Sequence, residues 1–355
     1  MEQLTLAGRP TTSLGFGGSL LGSTPPAVSL QLLNTAYDEG IRHFDVAPLY
    51  GFGRSESMLR EAFGKRLQDV TITTKYGLAA PAHSSWIGPL HRLAKAVLSP
   101  LPGMKRVLQR ARGAEEGEPP LTAAAAGQSI DHSLRQLGVE TIDLLLLHEA
   151  TPDRLRDQDL LGLLEDYRRR GKIRQFGVGS RSERVGDCLR ERPDFCPIVQ
   201  FEWNVFSAVG PELATLPRIL HGSLAGPRAA FTTWLLEDAQ RCARWSLLAG
   251  VDLQEPGIIN RLLFKASLED HAGHIVLFST RTVANIKSNV QTASDKSLAA
   301  PARVLKNLVH AEYPAVETTA TTAKTGRGEM GTQPPSWSDA RRLGDINPPS
   351  PSQRL

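Results

Sequence analysis

The sequence predicts an α/β fold, a (β/α)8 TIM barrel, from three observations. Short apolar runs rich in β-branched residues alternate with longer segments of helical period, the pattern of repeated βα units around a parallel sheet. Eight such runs can be counted, which is the number of strands that closes this barrel. The chain has 355 residues, of which 41% are hydrophobic, and this is enough for one large domain with an ample core.

The eight apolar runs are the predicted barrel strands. In chain order they are Leu14–Gly18, Ile41–Ala47, Val70–Tyr76, Ile142–His148, Ile173–Ser180, Ile198–Asn204, Arg218–Leu224 and His274–Thr280. Before them, Leu4–Pro10 contains the turn Ala7-Gly8 and is predicted to form a small hairpin that closes the bottom of the barrel.

The segments between these runs have the period of helices. In Ser29–Gly40 the apolar residues recur at helical spacing, and Gly40 is typical of a helix C-terminus. Ser55–Phe63 has the same pattern and ends at Gly64. An outer layer of helices is therefore predicted around the strands.

The predicted barrel domain comprises residues 1–315, and two regions depart from its alternating pattern: an insertion within the domain and a tail after it. Residues 78–120 form an insertion after the third strand that is far longer than a usual loop, with a basic amphipathic stretch that would overhang the mouth of the barrel. It is either a substrate lid or a surface helix pair. Residues 316–355 are rich in Thr, Pro, Ser and Gly and are predicted to be a disordered tail.

Composition and charge exclude several classes of protein. The formal net charge is +4 and the basic residues are scattered, so no nucleic-acid partner is expected. No N-terminal signal and no apolar stretch of about 18 residues is present, so we expect a cytoplasmic protein with no membrane partner. No metal site is expected, because the cysteines and four histidines lack suitable partners; they are Cys188, Cys196, Cys242, His43, His132, His271 and His274.

Four reactive side chains lie at the ends of predicted strands or just past them, where a TIM barrel gathers its catalytic groups. A neighbouring ammonium, that of Lys75, would lower the pKa of the Tyr50 phenol and let it exchange a proton near neutral pH. Asp45 would hold Lys75 as an ion pair. His148 would donate a hydrogen bond to a carbonyl oxygen and polarise it. These are the parts of a carbonyl reductase.

Several motifs resemble those of the aldo-keto reductase family. The longest runs from Gly40 to Glu56 and includes Asp45-Val46-Ala47 and Tyr50-Gly51. A second, Gly171–Ser180, resembles the family's Gly-Lys-Ile-Arg and Gly-Val-Ser-Asn signature except at its last two positions. Further matches are Thr73-Thr74-Lys75, Ile142–His148, Val199–Asn204 and Ser279–Val290, in the family's order over about residues 10 to 295.

The resemblance implies roles for particular residues. Tyr50 would be the general acid or base, Lys75 would tune it, Asp45 would hold Lys75, and His148 would orient the carbonyl. The implied cofactor is NADP(H), with NAD(H) as the alternative, bound without a Rossmann fold. The cofactor-binding residues implied by position are Gly17, Ser180, Gln200, His221, Ser279, Thr280, Arg281, Asn285 and Asn289. Of these, Ser180, His221 and Asn285 depart from the residue that the family commonly has.

The implied function is hydride transfer between a nicotinamide and an aldehyde, ketone or sugar carbonyl or its alcohol, an oxidoreductase of class EC 1.1.1.-. The residues of the N-terminal motifs resemble most the bacterial sugar and aldose dehydrogenase branch of the family. The alternative is a regulatory or scaffold protein that binds the cofactor with little turnover. A serine hydrolase is disfavoured because no nucleophile elbow is present. Substrate, direction and oligomeric state stay open.

Overall fold

A computed structural model describes residues 1–78, 121–207 and 210–313. The predicted tail of residues 316–355 lies outside these ranges, as does nearly all of the predicted insertion of residues 78–120. The expectations of a lid and of disorder therefore stay predictions.

The strands form the predicted closed barrel. Its members are β3 (Leu14–Gly17), β4 (His43–Asp45), β5 (Thr71–Tyr76), β6 (Ile142–His148), β7 (Ile173–Gly179), β8 (Val199–Glu202), β9 (Arg218–His221) and β10 (Ile275–Phe278). All neighbours pair in parallel, and β10 pairs with both β9 and β3 to close the ring. Each predicted run contains one observed strand. The runs are longer than the strands because flanking residues such as Val46 and Ala47 are also apolar and buried.

The predicted hairpin precedes the barrel and consists of β1 (Gln3–Leu6) and β2 (Arg9–Thr12). Its two turn residues, Ala7 and Gly8, have φ values of 50° and 78°, which match the left-handed requirement of a type I′ hairpin turn. Leu6 packs among side chains inside the barrel, including Leu144 and Ile275. The hairpin therefore closes the bottom of the barrel, as predicted.

Helices surround the strands. They are α1 (Pro26–Asp38), α2 (Ser55–Phe63), α3 (Ala123–Leu137), α4 (Gln158–Arg169), α5 (Ser182–Glu191), α6 (Arg228–Glu237), α7 (Ala239–Ala249), α8 (Ile258–Asp270), α9 (Val283–Ser294) and α10 (Ala299–Glu312). The two helices predicted from their period are α1 and α2. Gly40, just beyond α1, has a φ of 89°, which explains why a glycine stands there.

Strand alternation decides which residues face the inside of the barrel. On β4, Phe44 faces outward and contacts Phe63 of α2, with ring centroids 4.8 Å apart. His43 and Asp45 on either side of it therefore face inward, and His43 lies against Gly15 of β3. Lys75 of β5 also faces inward, since it reaches Asp45. The alternation thus places a carboxylate and an ammonium inside the barrel.

Other sequence features are also located. Cys188, Cys196 and Cys242 are buried free thiols. Within the residues that the structure describes, no three His, Cys, Asp or Glu side chains are grouped as metal ligands. No helix in those same ranges has the length and apolar character needed to cross a bilayer.

Candidate active site

An ion pair between two neighbouring strands lies near the mouth of the barrel. Lys75 Nζ donates to Asp45 Oδ1 at 2.5 Å, and both side chains are buried. The second carboxylate oxygen, Oδ2, accepts a hydrogen bond from Gln200 Nε2 at 2.7 Å. Asp45 is therefore fully engaged by a cation from β5 and an amide from β8, across the barrel.

A short turn after β4 carries Tyr50. We call residues 50–53 the Tyr50 loop; it contains Gly51 and Phe52 with φ values of 65° and 55°. The loop packs closely against the turn Gly18–Ser23 that follows β3. A Cβ on Gly22 would lie only 2.3 Å from the Cα of Gly51. The glycine at position 22 is therefore what allows the Tyr50 loop to lie where it does.

The four predicted catalytic residues come together. Lys75 Nζ lies 5.5 Å from the centroid of the Tyr50 ring. The imidazole of His148, at the end of β6, stands edge-on to the same ring, with centroids 6.0 Å apart and an interplanar angle of 86°. A phenol, an ammonium and an imidazole thus share one small region around Asp45.

The electrostatics of this region differ from the expectation for Tyr50. Burial raises the pKa of the Tyr50 phenol, and the charges of Asp45 and Glu149 add to the rise. The predicted lowering by Lys75 is not produced by these side chains, because Asp45 offsets the ammonium charge and no hydrogen bond joins Lys75 to the phenol. Burial also lowers the pKa of Lys75. Tyr50 is consequently a protonated phenol at neutral pH.

His148 is held neutral. Burial lowers its pKa to about 3, and the positive charge of Lys75 contributes to the same change. A neutral imidazole has one ring nitrogen that donates and one that accepts. His148 is therefore able to donate a hydrogen bond to an oxygen placed beside Tyr50.

A cavity of about 880 Å³ opens beside Asp45 and Tyr50. Seven of the predicted cofactor-binding residues line it: Gly17, Gln200, His221, Ser279, Thr280, Asn285 and Asn289. The other two, Ser180 and Arg281, are not among its lining residues. Ser180 Oγ donates to Glu149 Oε2 at 3.1 Å. Arg281 Nε donates to Ser23 Oγ at 2.9 Å.

The comparisons with known proteins identify the family. The model of the Aldo/keto reductase family matches residues 13–216, which is more than half of the chain. The chain belongs to this family. The match ends before β9, so the last two barrel strands lie beyond it.

Known relatives are similar to this aldo/keto reductase over part of their length. A pyridoxal 4-dehydrogenase from Microbacterium luteolum is 27% identical over 57% of this chain and 62% of its own length. A D-threo-aldose 1-dehydrogenase from a Pseudomonas species is 31% identical over 52% of this chain and 53% of its own length. The chain thus matches little more than half the length of these relatives.

Solved structures extend the similarity to the whole fold. A glycerol dehydrogenase from Gluconobacter oxydans has a TM-score of 0.59 at 20% identity, covering 88% of this chain and 96% of its own. An aldo-keto reductase from Klebsiella pneumoniae, crystallised with NADPH, has a TM-score of 0.55 at 17% identity, covering 86% and 95%. At such identities the likeness concerns the fold alone.

The sequence reasoning assigned no role to several residues that line the aldo/keto reductase cavity, among them Arg228, Asn260 and Arg261. Arg228 begins α6, and Asn260 and Arg261 lie in the first turn of α8. Arg228 Nη1 donates to Asn260 Oδ1 at 2.9 Å. Arg261 pairs with Asp295 at 3.3 Å. An arginine directly after Gly226-Pro227, in the loop beyond β9, was the one available signal, whereas Asn260 and Arg261 resemble ordinary surface residues of a helix.

Proposed function

We propose that this family member is an oxidoreductase that transfers hydride between NADP(H) and a small aldehyde, ketone or sugar carbonyl, with Tyr50 exchanging the proton. The observation that carries the proposal is that Lys75 and His148 lie beside Tyr50, which itself lines a cavity of about 880 Å³. Cofactor identity, residue roles and substrate are parts of this proposal.

The cavity fits a dinucleotide in size and in its chemistry. About 880 Å³ lies within the range of roughly 300–1,000 Å³ that small-molecule sites occupy. One end offers the amide of Gln200, and the other offers hydroxyls and amides at the start of α9, from Thr280 to Asn289. Helix N-termini attract phosphate, and Arg228 adds a cation to the lining of the cavity. A Cβ on Gly17 would lie 2.6 Å from Ser279 Oγ, so glycine keeps this wall open.

The protein's own residues would handle the proton and the carbonyl. When bound, the nicotinamide ring supplies or accepts the hydride. His148 would donate a hydrogen bond to the carbonyl oxygen and fix its orientation. Tyr50 would give its phenolic proton to that oxygen as the carbonyl is reduced. Asp45 would hold the Lys75 ammonium 5.5 Å from the ring of the phenolate left behind, while its own charge opposes part of the stabilisation that the ammonium gives.

Tyr50 would begin a reduction as the proton donor, because its pKa is raised and the phenol is protonated at neutral pH. In the reverse oxidation the same oxygen would accept the proton of the alcohol. Two of the relatives are a pyridoxal 4-dehydrogenase and a D-threo-aldose 1-dehydrogenase. We therefore propose small polar aldehydes and aldoses as the first substrates to examine.

The test combines binding with turnover. NADPH is titrated into the purified protein by fluorescence, with NADH in parallel, and NADPH absorbance is followed with a panel of aldehydes, ketones and sugars. Turnover should fall by about a hundredfold or more in Tyr50→Phe, the usual loss of a general acid, with NADPH affinity unchanged. Turnover that is equal in Tyr50→Phe would contradict the proposed role of the phenol.

A regulatory or scaffold protein is the second candidate. It is favoured by one observation: the Ser180 hydroxyl, which the family resemblance places at the nicotinamide amide, is engaged by Glu149 instead. This candidate predicts tight NADPH binding with no turnover of any member of the panel.

A further inference from the structure

Glu149 follows His148 directly and has an unusual backbone. Its φ of 52° lies in the left-handed region, which residues other than glycine rarely adopt. Hydrogen bonds to both its backbone N–H and its carbonyl oxygen hold this conformation. Glu149 N donates to Gly179 O at 2.7 Å, and Glu149 O accepts from Arg154 Nη1 at 2.8 Å. Backbone that is held in such a region is found disproportionately at functional sites.

The contacts of the Glu149 side chain leave one of its oxygens available. Oε2 accepts from Ser180 Oγ at 3.1 Å and from Arg184 Nη1 at 3.2 Å. Within the part of the chain that the structure describes, Oε1 has no hydrogen-bond partner, and the side chain is 32% exposed. The carboxylate is thus positioned by two donors, belongs to a partly exposed side chain and keeps one acceptor atom without a partner among the described residues.

The charge of Glu149 reaches the reacting region. It contributes to the raised pKa of Tyr50, together with burial and Asp45. Asp45 is neutralised by its contact with Lys75, whereas Glu149 pairs with an arginine that is itself 42% exposed. Ion pairs between partly exposed side chains are weak, so Arg184 neutralises Glu149 less completely than Lys75 neutralises Asp45.

We propose that Glu149 selects the substrate by charge, favouring neutral, hydroxyl-bearing or cationic carbonyl compounds over those that carry a carboxylate near the carbonyl. The inference rests on the proposed function and deepens it. A carboxylate substrate would bring a like charge to Glu149, while a hydroxyl or ammonium group could donate to Oε1. A residue kept only to anchor Arg184 would not affect this selection.

The test compares three aldehydes of one shape: para-nitrobenzaldehyde, para-carboxybenzaldehyde and para-(trimethylammonio)benzaldehyde. Their kcat/KM values with NADPH are measured for the parent protein, Glu149→Gln and the control Asp187→Asn. The control removes one negative charge of the neighbouring helix α5, where Asp187 pairs with Arg190. Because each aldehyde is used with every protein, its intrinsic reactivity cancels from the comparison.

In Glu149→Gln, the ratio of kcat/KM for the carboxylated aldehyde to that for the neutral one should rise about tenfold at low salt, and the ratio for the cationic aldehyde should fall. Asp187→Asn should leave both ratios unchanged. In the parent protein, the discrimination should shrink at high ionic strength, a result that needs no variant.

The experiment distinguishes failure of the proposed function from failure of the charge-selection proposal. If no aldehyde is reduced by the parent protein, the proposed function fails and the inference falls with it. If the aldehydes are reduced but the ratios are insensitive to salt and are the same in Glu149→Gln and the parent, charge selection is refuted while the reductase function stands.

Discussion

The buried imidazole of His43 should make the stability of the protein depend on pH. His43 is completely buried, its Nδ1 lies 3.0 Å from Thr71 Oγ1, and burial lowers its pKa from 6.5 to about 4. Below pH 6.5, His43 therefore binds a proton in the unfolded chain but not in the folded protein. The free energy of unfolding consequently falls as the pH falls toward 4. The full change corresponds to about 3.4 kcal/mol, at 1.36 kcal/mol for each tenfold change in proton affinity. Between pH 7 and pH 5 the loss is about 1.8 kcal/mol.

The assay is urea unfolding followed by tryptophan fluorescence at several pH values between 7 and 4.5, for the parent protein and His43→Asn. The asparagine retains a group that hydrogen-bonds Thr71 but does not titrate. The slope of unfolding free energy against pH should be lower in the variant by up to about 1.4 kcal/mol per pH unit, the effect of one proton. Other buried histidines and Glu56, whose pKa is raised, contribute to both proteins and cancel. Equal slopes would refute the reasoning.

Three further perturbations have expected outcomes. Asp45→Asn leaves Lys75 buried without its counter-charge and should lower the unfolding free energy by about 3–5 kcal/mol, whereas Asp45→Asn with Lys75→Met should cost less, both measured by urea unfolding. Gly22→Ala should displace the Tyr50 loop and lower kcat/KM in the NADPH assay, while Gly162→Ala, an open helical position, should leave kcat/KM unchanged. Arg228→Ala should weaken NADPH binding about tenfold in a fluorescence titration, with a smaller dependence on salt than the parent; an unchanged affinity would exclude a phosphate contact.

The barrel could be predicted from the sequence because its strands are short, apolar and regularly spaced. The strand ends could be predicted only approximately, since Leu224 and Ala47 continue the apolar pattern after the ladder of hydrogen bonds has stopped. Residues 78–120 and the tail show the limit of pattern reasoning: their composition distinguishes them from the barrel but assigns them no structure.

The grouping of the candidate site could be predicted because every member ends a strand or follows one, and parallel strand ends meet at one edge. The direction in which each side chain points could not be predicted. Ser180 and Arg281 occupy the expected positions on the backbone, but each finds a partner elsewhere, in Glu149 and Ser23. Such competition depends on residues that are distant in sequence. The raised pKa of Tyr50 has the same origin, because it depends on how deeply the phenol is buried and on a carboxylate from another strand.

Asp45 binds Lys75 through one oxygen and Gln200 through the other. One side chain thus joins the proposed proton-handling groups to the wall of the proposed cofactor cavity, so a change on either side alters the carboxylate that the other side contacts. Substitutions at Lys75 and Gln200 should show epistasis, since each alters the carboxylate that the other binds. Evolution of a new cofactor preference in this barrel would accordingly start at the far end of the cavity, near α9, where a change leaves Asp45 untouched.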